Sequence, residues 1–207
     1  MNITIIGTGN MARGVATLAL AGGNMVTLLG HEPGKSDVLA KELPGEVRTG
    51  TVGDPLDGEV IVPAVWYQAL GDVIARYADQ LNGKVIVDIS NPVDPQSFQP
   101  LTIAAGSVAQ ELAQMVPGAK VVKAFNTTFA GTLAEGTVGG QPLDVLIASD
   151  DEDAKTAVRT LAEGGGLRVI DAGPLAVARQ LEGVGYVHMA VQDDLGTGYT
   201  SAIKIFA

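Results

Sequence analysis

Ile3 to Gly23 reads ITIIGTGNMARGVATLALAGG, an apolar run, a glycine-rich turn and a helical pattern in succession. Ile3 to Ile6 has the length and apolar character of a strand, Gly7-Thr8-Gly9-Asn10-Met11-Ala12 is a G-x-G-x-x-A turn, and the residues after it keep helical spacing. A hexapeptide of this kind alone is weak evidence. Between a strand and a helix, with a second strand beginning near Val26, it reads as a seat for a dinucleotide pyrophosphate. Gly7 permits the tight turn, Gly9 lets the backbone approach the anion, and Ala12 keeps helix and sheet close. The helix N-terminus then offers free N–H groups, with further contacts from Thr8, Asn10 and Met11. The competing reading is an ordinary glycine-rich strand-to-helix turn.

Working outward, short apolar runs alternate with helical patterns. Strands are expected at Ile3 to Ile6, Val26 to Leu29, Val60 to Val62, Val85 to Ile89, Val121 to Phe125, Val145 to Ala148 and Leu167 to Ile170. Nearly continuous apolar strands are buried on both faces, so the pattern is α/β: a mainly parallel sheet with helices on both faces. Helices are expected at Met11 to Ala21, Ser36 to Leu43, Trp66 to Leu81, Ser107 to Met115, Asp151 to Ala162 and Leu175 to Gln192, with Ser107 and Asp151 as N-caps. The Pro-rich segment Pro92 to Pro100 reads as a loop over the strand ends. Residues 1–207 are expected to form a single nucleotide-binding domain, with 172–207 as a C-terminal helical extension.

Composition narrows the function. A hydrophobic share of 46% supports a sizeable core, and a formal net charge of -10 repels nucleic acid and anionic membranes. No cysteine is present, which removes disulfides and thiolate chemistry. No run of about 20 apolar residues spans a bilayer, and no basic leader opens the chain, so a cytoplasmic location is expected.

The coenzyme type is read just past the second strand, in Leu29-Gly30-His31-Glu32-Pro33-Gly34-Lys35. An NAD enzyme usually places an acidic residue at that strand end. Here Leu29 and Gly30 occupy it, and His31 and Lys35 are two potential cations for a 2′-phosphate, which favours NADP. Glu32 serves NAD or faces solvent, and a solvated loop is the bland alternative.

ITIIGTGNMARG, the GHEPGK loop, VPAVW, VDISNP, VVKAFNT and IDAGPL occur in the order seen in deazaflavin-dependent NADP oxidoreductases, which the chain resembles over nearly its whole length. VDISNP and VVKAFNT also resemble the reductase domain of the six-transmembrane epithelial antigen metalloreductases. The resemblance implies a Rossmann-like doubly wound domain in which NADPH exchanges hydride with a deazaflavin (coenzyme F-420) or a flavin such as FMN. It places Thr8 to Met11 at the pyrophosphate and Gly30, His31 and Lys35 at the adenosine phosphate. Pro63, Ala64 and Val65, Ser90, Asn91 and Pro92, and Ala124, Phe125 and Asn126 then lie around the ribose and nicotinamide, with Asn126 bonding the carboxamide. Two departures mark this chain: the archaeal enzymes carry a Ser-Arg pair at Gly30-His31, and a histidine at Asn126.

Few residues are available for proton transfer. His188 reads as a packed helical histidine. Lys123 is either a buried functional amine or a strand-end lysine reaching solvent. Tyr67 and Tyr186 read as packing residues. Hydride exchange between two ring cofactors needs no protein acid, so the scarcity fits it. Trp66 is a candidate pocket wall, and Thr127, Thr128 and the GTGYTS segment are candidates for the acceptor site. A reductase of a small imine or ketone and a dinucleotide-binding redox sensor are the competing readings. The side of the last helix carrying Leu175, Ala178, Leu181, Gly185 and Met189 either forms a homodimer contact or covers the sheet.

Overall fold

The computed structural model describes residues 1–206. In chain order the elements are β1 (Asn2–Ile6), α1 (Asn10–Ala21), β2 (Met25–Gly30), α2 (Lys35–Ala40), β3 (Val47–Thr51), β4 (Val60–Pro63), α3 (Tyr67–Tyr77), β5 (Val85–Asp88), α4 (Val108–Met115), β6 (Lys120–Lys123), α5 (Ala130–Glu135), β7 (Thr137–Val138), β8 (Gln141–Pro142), β9 (Asp144–Ala148), α6 (Glu152–Gly164), β10 (Arg168–Gly173), α7 (Ala178–Ala190) and α8 (Gln192–Leu195).

Eight strands form one sheet in the order β10-β9-β6-β5-β4-β1-β2-β3. From β3 to β6 every pairing is parallel. β9 meets β6 in the antiparallel sense through Lys123 opposite Ala148, and β10 runs parallel to β9. Chain order reverses between β1 and β4, which opens a crevice beyond their carboxyl ends. The strand side chains divide by period two. Ile3, Ile5, Val62 and Val87 pack with Val15, Ala16 and Val158, while Ile6, Ile61 and Ile86 pack with Leu70, Ile74 and Leu112. Both faces are covered, which is why the strands read as unbroken apolar runs.

Both expected caps form: Ser107 Oγ accepts from the Gln110 N–H at 3.2 Å, and Asp151 Oδ1 accepts from the Ala154 N–H at 2.8 Å. Three differences have physical causes. β3, Val-Arg-Thr-Gly-Thr, is an edge strand left partly in solvent, so it carries no apolar run. β6 stops at Lys123 instead of Phe125, because Phe125 turns to a positive φ of 60°. The helix expected over Leu175 to Gln192 is broken into a 3-10 turn at Leu175–Val177, then α7, then α8.

α5 is too short to show a periodicity. The β7–β8 hairpin, absent from the expected elements, turns at Gly139-Gly140, where both residues have positive φ. Leu175, Ala178, Leu181 and Gly185 are buried within the chain and Met189 is half-buried, so most of that side of the last helical stretch covers the sheet. Among the described residues no helix is long and apolar enough to cross a membrane.

Candidate functional site

The crevice between β1 and β4 starts at Gly7. Its N–H donates to the Leu29 carbonyl at 2.9 Å, its φ is 127°, and a Cβ there would lie 2.3 Å from the Ala64 carbonyl oxygen. Close approach of the β4 end therefore demands glycine as strictly as the turn does. Gly9 is different. Its backbone is extended, and a Cβ would meet nothing within 4 Å, so the space above it is open. No side chain caps α1, whose first amides face that space with the favourable end of the helix dipole. Asn10 is exposed, Thr8 and Met11 half-buried, and Ala12 fully buried against the sheet. The geometry is that of an anion seat of main-chain donors.

At the end of β2, Gly30 is buried, and a Cβ would lie 3.1 Å from the Ser36 amide nitrogen. Ser36 Oγ is turned inward, donating to the Gly50 carbonyl at 2.8 Å. His31 and Lys35 stand exposed on the rim, and Lys35 Nζ lies 3.9 Å from the Glu32 carboxylate. His31 and Lys35 thus share the carboxyl edge of the sheet with the β1–α1 turn, since β1 and β2 pair in parallel.

The ends of β4, β5 and β6 supply the other expected residues. Pro63 is buried, Ala64 donates its N–H to the Ile6 carbonyl at 2.8 Å, and Ala64 and Val65 are half-buried at the crevice. Trp66 is 60% exposed and does not wall a pocket. Ala124 and Phe125 are fully buried, main chain included, so neither lines an open surface. Asn91 and Asn126 form a reciprocal pair: Asn91 Nδ2 donates to the Asn126 carbonyl at 2.8 Å, and Asn126 Nδ2 to Asn91 Oδ1 at 2.9 Å and the Leu181 carbonyl at 2.8 Å. Asn126 Oδ1 is, among the described residues, the one buried side-chain polar atom without a partner.

Lys123 does not reach solvent. It is fully buried, and Nζ donates to Asp88 Oδ2 at 2.8 Å, the Ser90 carbonyl at 2.5 Å and Glu182 Oε1 at 3.0 Å. Asp88 Oδ1 accepts from the Ser90 N–H at 2.9 Å and its Oγ–H at 2.6 Å, so Ser90 is clamped at all three polar atoms. Burial pushes the Glu182 carboxyl above its ordinary value against the pull of Lys123. The sequence carried one signal for this cluster, a lysine inside the otherwise apolar VVKAF, but nothing pointed to Glu182 as its partner. Gly185 packs against the same corner: a Cβ there would lie 2.6 Å from Asn91 Oδ1.

His188 is buried and stacked on Phe129. Nδ1 lies 3.1 Å from the Thr127 carbonyl, which only accepts, so Nδ1 carries the proton and Nε2 accepts from Ser201 Oγ at 2.9 Å. Burial lowers its pKa, so the ring stays neutral. Thr127 and Thr128 are buried, and the GTGYTS segment is fastened over them through Ser201, His188 and Gln192. The open space lies instead on the other side of Asn91. There a cleft of about 360 Å³ runs between the loop from Pro92 to Gly106 and α7, lined by Leu101, Ile103, Arg179, Glu182 and Tyr186 among others. Burial and the Glu111 carboxylate hold the Tyr67 phenol above its usual range. Among the described residues no cluster of acidic and histidine side chains could hold a metal ion.

Residues 2–92 match the family described as NADP oxidoreductase, coenzyme F420-dependent. The chain is 31% identical over 200 residues to the F420-dependent NADP reductase of Methanothermobacter marburgensis, covering 88% of each. It is 34% identical over 183 residues to metalloreductase STEAP3 of Rattus norvegicus, but these are 88% of this chain and only 36% of that protein, so the chain spans about a third of it. A crystal structure of a putative F420-dependent NADP reductase from Arthrobacter sp. FB24 superposes with a TM-score of 0.87 at 28% identity over 99% of both chains. A Rossmann-like sheet, an uncapped anion seat at its switch point and this end-to-end likeness place the chain in the F420-dependent NADP oxidoreductase family.

Proposed function

We propose that the chain exchanges hydride between NADP(H) and a deazaflavin or flavin. The observation that carries this reading is the open, uncapped main-chain seat at Gly9, joined along one sheet edge to His31 and Lys35 and to the strand ends of β4, β5 and β6. The amides of Thr8 to Met11 hold the pyrophosphate, and His31 and Lys35 meet the 2′-phosphate. Ser90 to Pro92 and Asn126 orient the nicotinamide end. The unpartnered Asn126 Oδ1 supports this, because a buried acceptor without a donor costs about 1–3 kcal/mol that a carboxamide N–H relieves. When bound, the coenzyme supplies the hydride; the protein supplies orientation and a dry surface.

Among the described residues, Lys123, His188 and Tyr67 are not poised as proton donors for alcohol or ketone chemistry. Lys123 has all three hydrogens committed, both His188 nitrogens are occupied, and the Tyr67 phenol is a weakened acid. That favours a second ring as hydride partner over an imine or ketone. The cleft beside Asn91 gives such a ring its room.

Purified protein is mixed with NADPH and then with oxidised deazaflavin or FMN while the absorbance of each is followed. Joint loss of the NADPH and acceptor bands is expected. Binding of NADPH with turnover of no acceptor would instead identify a redox sensor. His31→Ala with Lys35→Ala is expected to weaken NADPH much more than NADH, and equal losses would remove the NADP assignment.

A further inference from the structure

Two carboxylates and one ammonium are buried together beneath the ends of β5 and β6, and their charges do not cancel. Lys123 faces both Asp88 and Glu182, and the only ion-pair partner of either carboxylate among the described residues is Lys123. The remaining bonds reach the carboxyl oxygens from donors. Asp88 Oδ1 takes the two donors of Ser90, and Glu182 Oε1 takes the Val108 N–H at 2.9 Å as well as Lys123. A lysine with one carboxylate would have been neutral; the second leaves one negative charge in excess in a low-dielectric place. Tyr67 and Glu111 near Glu182 add no positive charge, and Arg179, which lines the same cleft one helical turn away, is exposed to solvent and makes no ion pair with either carboxylate among the described residues.

We propose that this excess negative charge sets the redox-state preference of the coenzyme site, favouring the oxidised nicotinamide, whose ring is cationic, over the reduced, neutral one. The inference rests on the coenzyme reading above, which puts the nicotinamide over Ser90 to Pro92. Loss of a hydride, with its electron pair, to the flavin or deazaflavin turns a neutral ring into a cation. Asp88 and Glu182 therefore stabilise the product side of hydride donation, and the bound couple is a stronger reductant than the free one. Lys123 is a positioning residue, holding the Ser90 carbonyl and fixing both carboxylates in place.

The test is the pair of dissociation constants for NADP+ and NADPH, measured by titration of the full chain. Wild type is expected to bind NADP+ the more tightly. Glu182→Gln keeps the shape and an oxygen for Lys123 and Val108 but removes the charge. At an effective dielectric of about 20, removing one unit charge from the surroundings of a cationic ring changes such a ratio by roughly tenfold. Glu182→Gln is thus expected to weaken NADP+ by about that factor relative to NADPH. Parallel losses for both forms, or no change in their ratio, would leave the cluster a purely structural tie and overturn the proposal. Tighter binding of NADPH than NADP+ by wild type would overturn it without any variant. A wild-type chain that binds neither form would overturn the coenzyme reading as well.

Discussion

The β1–α1 turn and the cluster beneath Ser90 both lie at the carboxyl ends of parallel strands, and they are made by opposite means. In the turn, consecutive residues do everything, and the donors are main-chain amides that no side chain obstructs. In the cluster, Asp88, Ser90, Lys123, Asn126 and Glu182 arrive from β5, β6, the segments after them and α7, and side chains make the bonds. The turn tolerates no added atom at Gly7 but leaves space at Gly9; the cluster tolerates no lost partner. Local geometry guards the first site, and buried ion pairing guards the second.

Breaking the cluster is expected to cost most. Lys123→Met strands Asp88 and Glu182 without their cation, and denaturant unfolding is expected to show a loss of about 3–5 kcal/mol. A loss under 1 kcal/mol would mean that the ion pairs hold little. The turn separates stability from binding. Gly7→Ala drives a Cβ into the Ala64 carbonyl at a φ of 127°, so about 2–3 kcal/mol of stability and dinucleotide binding are expected to go together. Gly9→Ala meets no protein atom; stability is expected to stay within about 0.5 kcal/mol while dinucleotide affinity falls at least about tenfold. Equal stability losses for the two glycines would erase the distinction.

The C-terminal strap extends the long-range construction to the far edge of the sheet. Asp144 is buried, which opposes ionisation, yet bonds from Arg168, Lys204 and the Ile205 N–H hold its pKa at about 2. Its folded value is depressed, so its contribution of about 2 kcal/mol is complete above the ordinary 3.8 and is lost as pH falls toward about 2. Asp144→Asn is expected to flatten the acid limb of stability in that window. The smallest effect is expected at Ser201→Ala, which removes one bond to His188 and one to Gln192: about 1 kcal/mol, with faster proteolysis of the tail. His188, its pKa lowered by burial, adds stability that is complete above about 6.5 and declines below it.

Reading the chain residue by residue located the turn, both N-caps and the apolar strands because each is a short-range pattern: a glycine spacing, a cap before a helix, an unbroken apolar run. β3 escaped because an edge strand is only half desolvated. Lys123 stood out as an oddity in VVKAF, but its partner Glu182 lies 59 residues away, and no local pattern joins them.

The parallel sheet and the G-x-G-x-x-A turn between its first strand and helix were readable from residue order alone, since they follow from periodicity and backbone sterics. The burial of Lys123, the pressing of Gly7 against Ala64 and the closing of α7 over Asn91 and Asn126 depend on the folded chain. Desolvation and close packing are properties of what surrounds a residue, and those surroundings exist only once distant segments have been brought together.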